Sequence, residues 1–169
     1  MRSASATPAS STLPEMRAGE RGGGWVWLQF AVMAALVGFG FLPPEWPDGA
    51  QRILSVVGFV LVVVGAGIAV WASRLLGRGF TPYPRPLASC ELIDHGPYRI
   101  VRHPVYSAGL VVFTGYSLYA GVLALVATGV LGVVWALKAR VEERLLRERY
   151  AGYSDYASDV RFRLIPFLY

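Results

Sequence analysis

The stretch that decides the fold is Val105 to Leu137, VYSAGLVVFTGYSLYAGVLALVATGVLGVVWAL, 33 residues without a charged side chain. As one α-helix it would be about 50 Å long, which is more than a tilted helix can place in a bilayer core. The stretch therefore predicts a helical hairpin with arms of about 15 and 17 residues that turn near Tyr119-Ala120-Gly121. These arms are short for membrane spans, so one of them could be tilted, shielded by neighbours or only partly spanning.

Two further uncharged stretches precede the hairpin. Trp25 to Leu42 has 18 residues and Ile53 to Ala72 has 20. As helices they would measure about 27 and 30 Å, close to the thickness of a bilayer core. The predicted fold class is an all-α integral membrane protein with four transmembrane helices, a C-terminal helical hairpin and a cytoplasmic helical tail.

The distribution of basic residues tests this number of spans. With four spans, both termini and the segment between the second and third spans lie on one side of the membrane. That side carries all 16 Lys and Arg residues except Arg52. The positive-inside rule makes it cytoplasmic, which predicts a multi-pass protein with cytoplasmic N- and C-termini. The net charge of +5 then reflects topology and anionic lipid headgroups. Nucleic acid is not a predicted partner, because no stacking aromatics interleave a basic groove.

The length of 169 residues suits one domain. Residues 1–24 are rich in Ser, Ala, Thr, Pro and Gly and predict a disordered cytoplasmic tail, followed by a single membrane domain over 25–169. Cys90 is the one cysteine and cannot form an internal disulfide. Nothing in the sequence places His95 and His103 together, so no metal site is predicted.

Titratable and conformationally restricted residues collect immediately before the hairpin, in the segment His95 to Tyr106, HGPYRIVRHPVY. Pro104 stands where a helix would begin, a position that proline favours. Beyond the hairpin, Glu142 and Glu143 follow the apolar run closely, and a carboxylate near an apolar boundary needs a partner. Because the arms of a hairpin are antiparallel, Glu142 is predicted to return to the side of His103. The simpler alternatives are helix caps, lipid-phosphate contacts and a solvated helix face.

The sequence resembles one known family in several motifs that follow one another in order. These are Gly96-Pro97-Tyr98, then Val101-Arg102-His103-Pro104-Val105-Tyr106 with Gly109, then Glu142-Glu143 with Leu146, Tyr150 to Tyr156, and Leu164-Ile165-Pro166. Together they resemble the isoprenylcysteine carboxyl methyltransferases and the related phospholipid methyltransferases. The resemblance covers about residues 74–169 and implies a membrane enzyme that binds S-adenosylmethionine with this part of the chain.

The resemblance also implies roles for single residues. The implied cofactor contacts are Cys90, Leu92, Ile93, Tyr98, Arg102, His103, Pro104, Tyr106 and Glu142. Lys138 takes the place of a basic residue near the methyl acceptor, and Arg140 competes with it for that catalytic role. A carboxylate suits the ribose hydroxyls or the ammonium of the cofactor, tyrosine rings attract its sulfonium, and Arg102 or His103 can bind its carboxylate.

The sequence therefore predicts an S-adenosylmethionine-dependent methyltransferase with a lipophilic acceptor at the membrane–cytoplasm boundary, a carboxylate of the isoprenylcysteine type. A phospholipid amine is the alternative acceptor, and it would need a base such as His103 or a glutamate. A non-catalytic membrane protein that keeps the fold, and more weakly a membrane reductase, also stay open. Because only four spans are predicted, a homodimer also stays open.

Overall fold

The computed structural model describes residues 23–44, 46–83 and 92–166, and this part of the chain contains helices but no strands. The five α-helices, with two short 3-10 turns at Gly77–Gly79 and Gly96–Arg99, are α1 (Gly23–Phe39), α2 (Asp48–Leu76), α3 (Pro104–Ala120), α4 (Val122–Arg149) and α5 (Tyr153–Asp159). The predicted all-helical class is confirmed. The tail predicted over 1–24 lies, up to residue 22, outside the described residues.

The helix ends differ from the predicted spans for identifiable reasons. After Phe39 the chain forms a turn through Leu42, because the two prolines that follow cannot continue a helix. The second helix extends past both ends of the predicted span Ile53 to Ala72. An apolar run stops at its first charge, whereas a helix continues through Arg52 and Arg74 as long as backbone hydrogen bonds can form.

Two helices, α2 and α4, are long and apolar enough to cross a bilayer. The other two apolar helices, α1 and α3, have 17 residues each and would measure about 26 Å. Large apolar side chains face outward along this bundle; on α2 they are Ile53, Val56, Val57, Phe59, Val60, Val63, Val64, Val70 and Trp71. An apolar surface of this extent is typical of a membrane protein.

Small residues allow α2 and α3 to pack closely. A Cβ atom on Gly115 would lie 2.5 Å from the carbonyl oxygen of Gly58, and one on Gly65 would lie 2.9 Å from that of Ala108. Close backbone approach at glycine is a common way for helices to associate in lipid.

The turn between α3 and α4 is Gly121, whose φ of 118° favours glycine. Contacts between the two helices run in opposite order along the chain. Ser117 bonds Thr128 at 2.8 Å next to the turn, and Tyr106 bonds Glu142 at 2.5 Å far from it. The charged end of α4 therefore lies beside the first residues of α3.

The first helix packs on α4. Leu36 is fully buried with Leu131 and Trp135 in one apolar cluster. Nearer its start, α1 buries a polar side chain, Gln29, against the far half of α4. The start of α1, the end of α2, the start of α3 and the charged end of α4 thus meet at one end of the bundle.

Candidate functional site

A cavity lies at that end of the bundle. The cavity has a volume of about 160 Å³, roughly ten times the minimum that holds one water molecule. A small organic molecule can therefore occupy it. Its walls come from the end of α2 and the residues after it, from residues 92–106, from α4 and from α5. The lining residues are Leu76, Gly79, Phe80, Thr81, Tyr83, Leu92, Ile93, Tyr98, Arg102, His103, Pro104, Val105, Tyr106, Glu142, Leu146, Tyr150, Tyr153 and Tyr156.

A turn at Gly96–Arg99 brings the first motif against α2. Gly96 has a φ of 62°, a conformation that favours glycine, and a Cβ there would lie 2.7 Å from the end of the Leu75 side chain. The turn buries Tyr98, whose backbone carbonyl accepts a 2.8 Å hydrogen bond from the Tyr156 hydroxyl. Burial raises the pKa of the Tyr98, Tyr153 and Tyr156 phenols, so these hydroxyls stay protonated at neutral pH.

Three aromatic rings stack along one side of the cavity. The Tyr106 ring lies between the His103 ring, with centroids 5.7 Å apart, and the Trp135 ring, at 5.3 Å. The Trp135 ring in turn covers Gly109, where a Cβ would lie 2.6 Å from it. This stack fixes the orientation of Tyr106 and His103 at the cavity wall.

The adjacent carboxylates of α4 have different surroundings, and Glu142 belongs to the cavity. Its Oε1 accepts a 2.5 Å hydrogen bond from the Tyr106 hydroxyl, and its Oε2 lies 3.4 Å from Nδ1 of His103. The predicted approach of Glu142 to His103 is thus confirmed. The other ring nitrogen of His103 lies 3.4 Å from Glu143, so the imidazole stands between two carboxylates.

Glu143 is almost fully buried and joins three parts of the chain. It accepts a 2.8 Å hydrogen bond from Nε of Arg102, and Arg163 donates to its two oxygens at 2.8 and 3.0 Å. Arg102 also donates through Nη1 to the carbonyls of Val160, at 2.6 Å, and Arg161, at 2.8 Å. Two of the donor atoms of Arg102 are therefore engaged within the protein, although its side chain reaches the cavity wall.

The chain after α5, residues 160–164, forms a strap along the start of α3. The backbone N–H groups of Arg102 and His103 donate to the carbonyls of Phe162, at 2.9 Å, and Arg163, at 3.0 Å. Farther along, the Ser107 hydroxyl donates to the carbonyl of Leu164. The strap thus satisfies backbone donors at a helix start and holds the His103 backbone in place.

The two basic residues predicted near the methyl acceptor differ in their exposure to solvent. Lys138 is completely buried behind Tyr106 and does not line the cavity, whereas Arg140 is exposed on another face of α4. The alternative of a solvated helix face for Glu142 and Glu143 is wrong, because their side chains are only 13% and 3% exposed. The i,i+4 contact between Lys138 and Glu142 is present at 3.9 Å.

Of the nine predicted cofactor contacts, eight line this cavity, and Cys90 lies outside the described residues. The prediction missed the wall formed by residues 79–83, the side chain of Gln29 and the role of Arg163 in binding Glu143. No pattern in the sequence of 79–83 indicated that this segment lines the cavity. In the described part of the chain, no group of three His, Cys, Asp or Glu side chains could hold a metal ion.

The lining has a definite chemical character. Six tyrosines surround the cavity together with one carboxylate, Glu142, and aliphatic side chains from Leu92, Ile93 and Leu146. Tyrosine faces and a carboxylate attract a cation, and the aliphatic side chains suit a flat ring. The buried hydroxyl of Tyr153 has no hydrogen-bond partner among the described residues. The site is therefore suited to an organic cation that also carries hydrogen-bonding groups.

Comparison with known proteins gives consistent matches. Proteins of Oryza sativa subsp. indica and subsp. japonica, each named probable protein-S-isoprenylcysteine O-methyltransferase, are 36% identical over 120 residues. The alignments cover 68% of this chain and 62% of each relative, so the chain spans less than two thirds of their length. The nickel-cobalt-cadmium resistance protein NccN of Alcaligenes xylosoxydans xylosoxydans is 27% identical over 158 residues, 90% of this chain and 68% of that protein.

A family model described as phospholipid methyltransferase matches residues 53–152, which is more than half of the chain. The match includes α2, α3 and α4 and most of the cavity lining. The resemblance predicted from the motifs is thus confirmed, and the chain belongs to the phospholipid methyltransferase family.

Proposed function

We propose that this protein is a membrane-embedded methyltransferase that uses S-adenosylmethionine and acts on a lipophilic acceptor. The main observation behind the proposal is that eight of the nine residues that the family resemblance implies as cofactor contacts line one cavity at the polar end of an apolar bundle. The family membership supports the reaction class. The cofactor-binding part is proposed to be residues 74–169 within a single membrane domain.

The chemistry of the lining fits this cofactor. S-adenosylmethionine, when bound, supplies an electrophilic methyl group on a cationic sulfonium. Tyr98 would cover the positive charge, and Tyr106, whose ring is stacked between His103 and Trp135, would hold Glu142 in place through its hydroxyl. Glu142 would accept from ribose hydroxyls or the ammonium, and Arg102 or His103 would bind the carboxylate. The Tyr153 hydroxyl, buried and without a partner among the described residues, offers one more donor. Pro104, Leu92 and Ile93 would exclude water from the bound molecule.

The proposed topology has four spans with cytoplasmic termini and the cavity at the cytoplasmic face. Supporting this, the ends of four helices that carry or adjoin basic segments lie at the same end of the bundle as the cavity, whereas Arg52 lies near the start of α2 at the opposite end. Helices of 17 residues are short for a bilayer, but close contacts with α2 and α4 shield α3 from lipid along one side. A lipophilic acceptor would enter from the bilayer and the cofactor from the cytoplasm.

A carboxylate of the isoprenylcysteine type is the proposed acceptor, on the strength of the names of the Oryza relatives. Such a group is ionised at neutral pH and needs positioning rather than a base. A phospholipid amine is the second candidate. The imidazole of His103, which lies 3.4 Å from Glu142 and 3.4 Å from Glu143, favours it because this arrangement could take up the proton that an amine must lose.

Calorimetry on the protein in detergent tests the cofactor assignment. We expect S-adenosylmethionine to bind, and His103→Ala and Glu142→Ala each to weaken binding at least about tenfold, since each removes a charge-assisted contact. Glu148→Ala, which changes an exposed glutamate of the same helix, is the matched control. Absence of binding by the folded protein would refute the proposal.

Methyl-labelled cofactor distinguishes the acceptors. The protein is incubated in one reaction with an S-prenylated cysteine and in another with vesicles that contain phosphatidylethanolamine. Base-labile label in the first reaction indicates a carboxylate acceptor, and base-stable label in the second indicates an amine. Cofactor binding without transfer to either, or to a membrane extract, would favour a non-catalytic protein that keeps the fold.

A further inference from the structure

Lys138 is a charged side chain that the structure buries completely. Its Nζ donates to Oε1 of Gln29 at 2.8 Å and to the backbone carbonyl of Pro82 at 2.6 Å, and it lies 3.9 Å from Oε1 of Glu142. The ammonium also stands 5.2 Å from the centre of the Tyr106 ring. An ammonium has three donors, and here two form hydrogen bonds within the protein. The side chain is fully buried and does not line the cavity, so the ammonium is not exposed to an acceptor bound there.

The bond to Pro82 has a consequence for the cavity. Pro82 belongs to the segment 79–83, which forms one cavity wall through Gly79, Phe80, Thr81 and Tyr83. Apart from the short turn at its start, this segment has no regular structure. The hydrogen bond from Lys138 joins it to α4, so the position of this wall depends on the ammonium.

Gln29 holds the ammonium from the opposite side. Its Oε1 accepts from Nζ of Lys138 and also from Nε1 of Trp135, at 3.2 Å, and the side chain is 7% exposed. Trp135 is the ring that stacks on Tyr106. One buried network therefore connects α1, the segment 79–83 and the aromatic stack.

We propose that Lys138 is a positioning residue: together with Gln29 it holds the segment 79–83 in place as a wall of the cofactor cavity. In this role Lys138 acts through the Pro82 carbonyl and does not contact the methyl acceptor, in contrast to the role that the family resemblance implies for it. The kinetic part of this inference rests on the proposed function, whereas the positional part does not.

Hydrogen–deuterium exchange tests the positional part without cofactor. We expect Lys138→Met and Gln29→Leu each to increase exchange in peptides that cover 77–83 at least about tenfold, because each removes a charge-assisted bond of the network. Peptides within 122–137 should keep the wild-type exchange rate, which shows that the protein is still folded. Gln29→Glu keeps an accepting oxygen at this position and should preserve protection. Gln51→Leu, which removes a glutamine at the other end of the bundle, is the matched control.

Equilibrium binding and kinetics test the functional part. We expect each variant to raise the Kd for S-adenosylmethionine about tenfold or more. The Kd of the double variant should be no higher than that of the weaker-binding single variant, because both substitutions act on one network. A rise in the acceptor KM alone, with cofactor Kd and exchange at 77–83 unchanged, would overturn the inference and indicate an acceptor contact. Unchanged exchange at 77–83 in both variants would also overturn it. If wild-type protein binds no cofactor, the proposed function fails, and the exchange result still decides the role of Lys138.

Discussion

Replacing Glu143 with glutamine should lower the stability of the protein, whereas the same change at the adjacent Glu142 should mainly weaken cofactor binding. The carboxylate of Glu143 accepts three hydrogen bonds of 2.8 to 3.0 Å from Arg102 and Arg163 and is 3% exposed. Glutamine has nearly the same shape, but it presents an NH₂ group to one of these donors and carries no charge. The variant therefore leaves two guanidinium groups close together without their shared anion.

The magnitude follows from these contacts. Removing one partner of a buried ion pair costs about 3–5 kcal/mol, and hydrogen bonds to charged groups contribute about 1.5–3 kcal/mol each. The Arg163 side chain is 19% exposed, so solvent recovers part of its loss, and one oxygen of glutamine can still accept. We expect a loss of about 3 kcal/mol in the free energy of unfolding. For a chain of this length, that corresponds to a decrease of roughly 10 °C in Tm.

Thermal unfolding in detergent, with Glu148→Gln as the exposed control, measures this effect. Glu142→Gln should lower Tm by less than half as much while it weakens cofactor binding about tenfold or more, because the amide can keep the bond to the Tyr106 hydroxyl but loses the charge at the cavity. If Glu143→Gln melts within about 2 °C of the control, the ion cluster does not hold the strap and the reasoning is wrong.

Three further predictions concern packing, hydroxyl groups and pH. Gly109→Val should lower stability by about 1–3 kcal/mol in thermal unfolding because its side chain meets the indole ring of α4, whereas Gly129→Val, with open space around it, should change stability by less than about 0.5 kcal/mol. Tyr156→Phe should cost about 1 kcal/mol because it removes the hydrogen bond to Tyr98, and Tyr153→Phe should leave thermal stability unchanged but weaken cofactor binding in calorimetry. Because burial raises the folded-state pKa of these three tyrosines, their contribution to stability should be constant below pH about 10 and decrease above it, so Tm should be lower at pH 11 than at pH 8.

Much of the site could be predicted from the sequence, because two kinds of signal depend only on neighbouring residues: the charge-free stretch and the positions of glycine and proline. The charge-free stretch predicted a turn near Tyr119-Ala120-Gly121, and the antiparallel arrangement that follows from a short turn predicted that Glu142 approaches His103. Restricted residues such as Gly96 and Pro104 marked where the chain changes direction. These signals depend on backbone geometry, which hydropathy and glycine or proline placement report directly.

The parts that sequence reasoning missed depend on how each helix is rotated about its own axis. Lys138 and Arg140 are two residues apart on one helix, yet the first is fully buried and the second exposed. Lysine is usually exposed, and its burial here depends on oxygen acceptors from Gln29 and Pro82, which are 109 and 56 positions away in the sequence. The wall at 79–83 escaped prediction for the same reason, because its position comes from a long-range contact.

The strap at residues 160–164 sets an order of events during biosynthesis. The apolar helices can enter the membrane as they are synthesised, but the backbone donors of Arg102 and His103 find their partners only after Phe162 and Arg163 have left the ribosome. The binding site is therefore completed only after α5 and the strap have been synthesised. A chain that ends prematurely in α5 would be inserted and helical, yet it would be unable to retain a ligand. Loss of the strap would therefore abolish ligand binding without preventing insertion into the membrane.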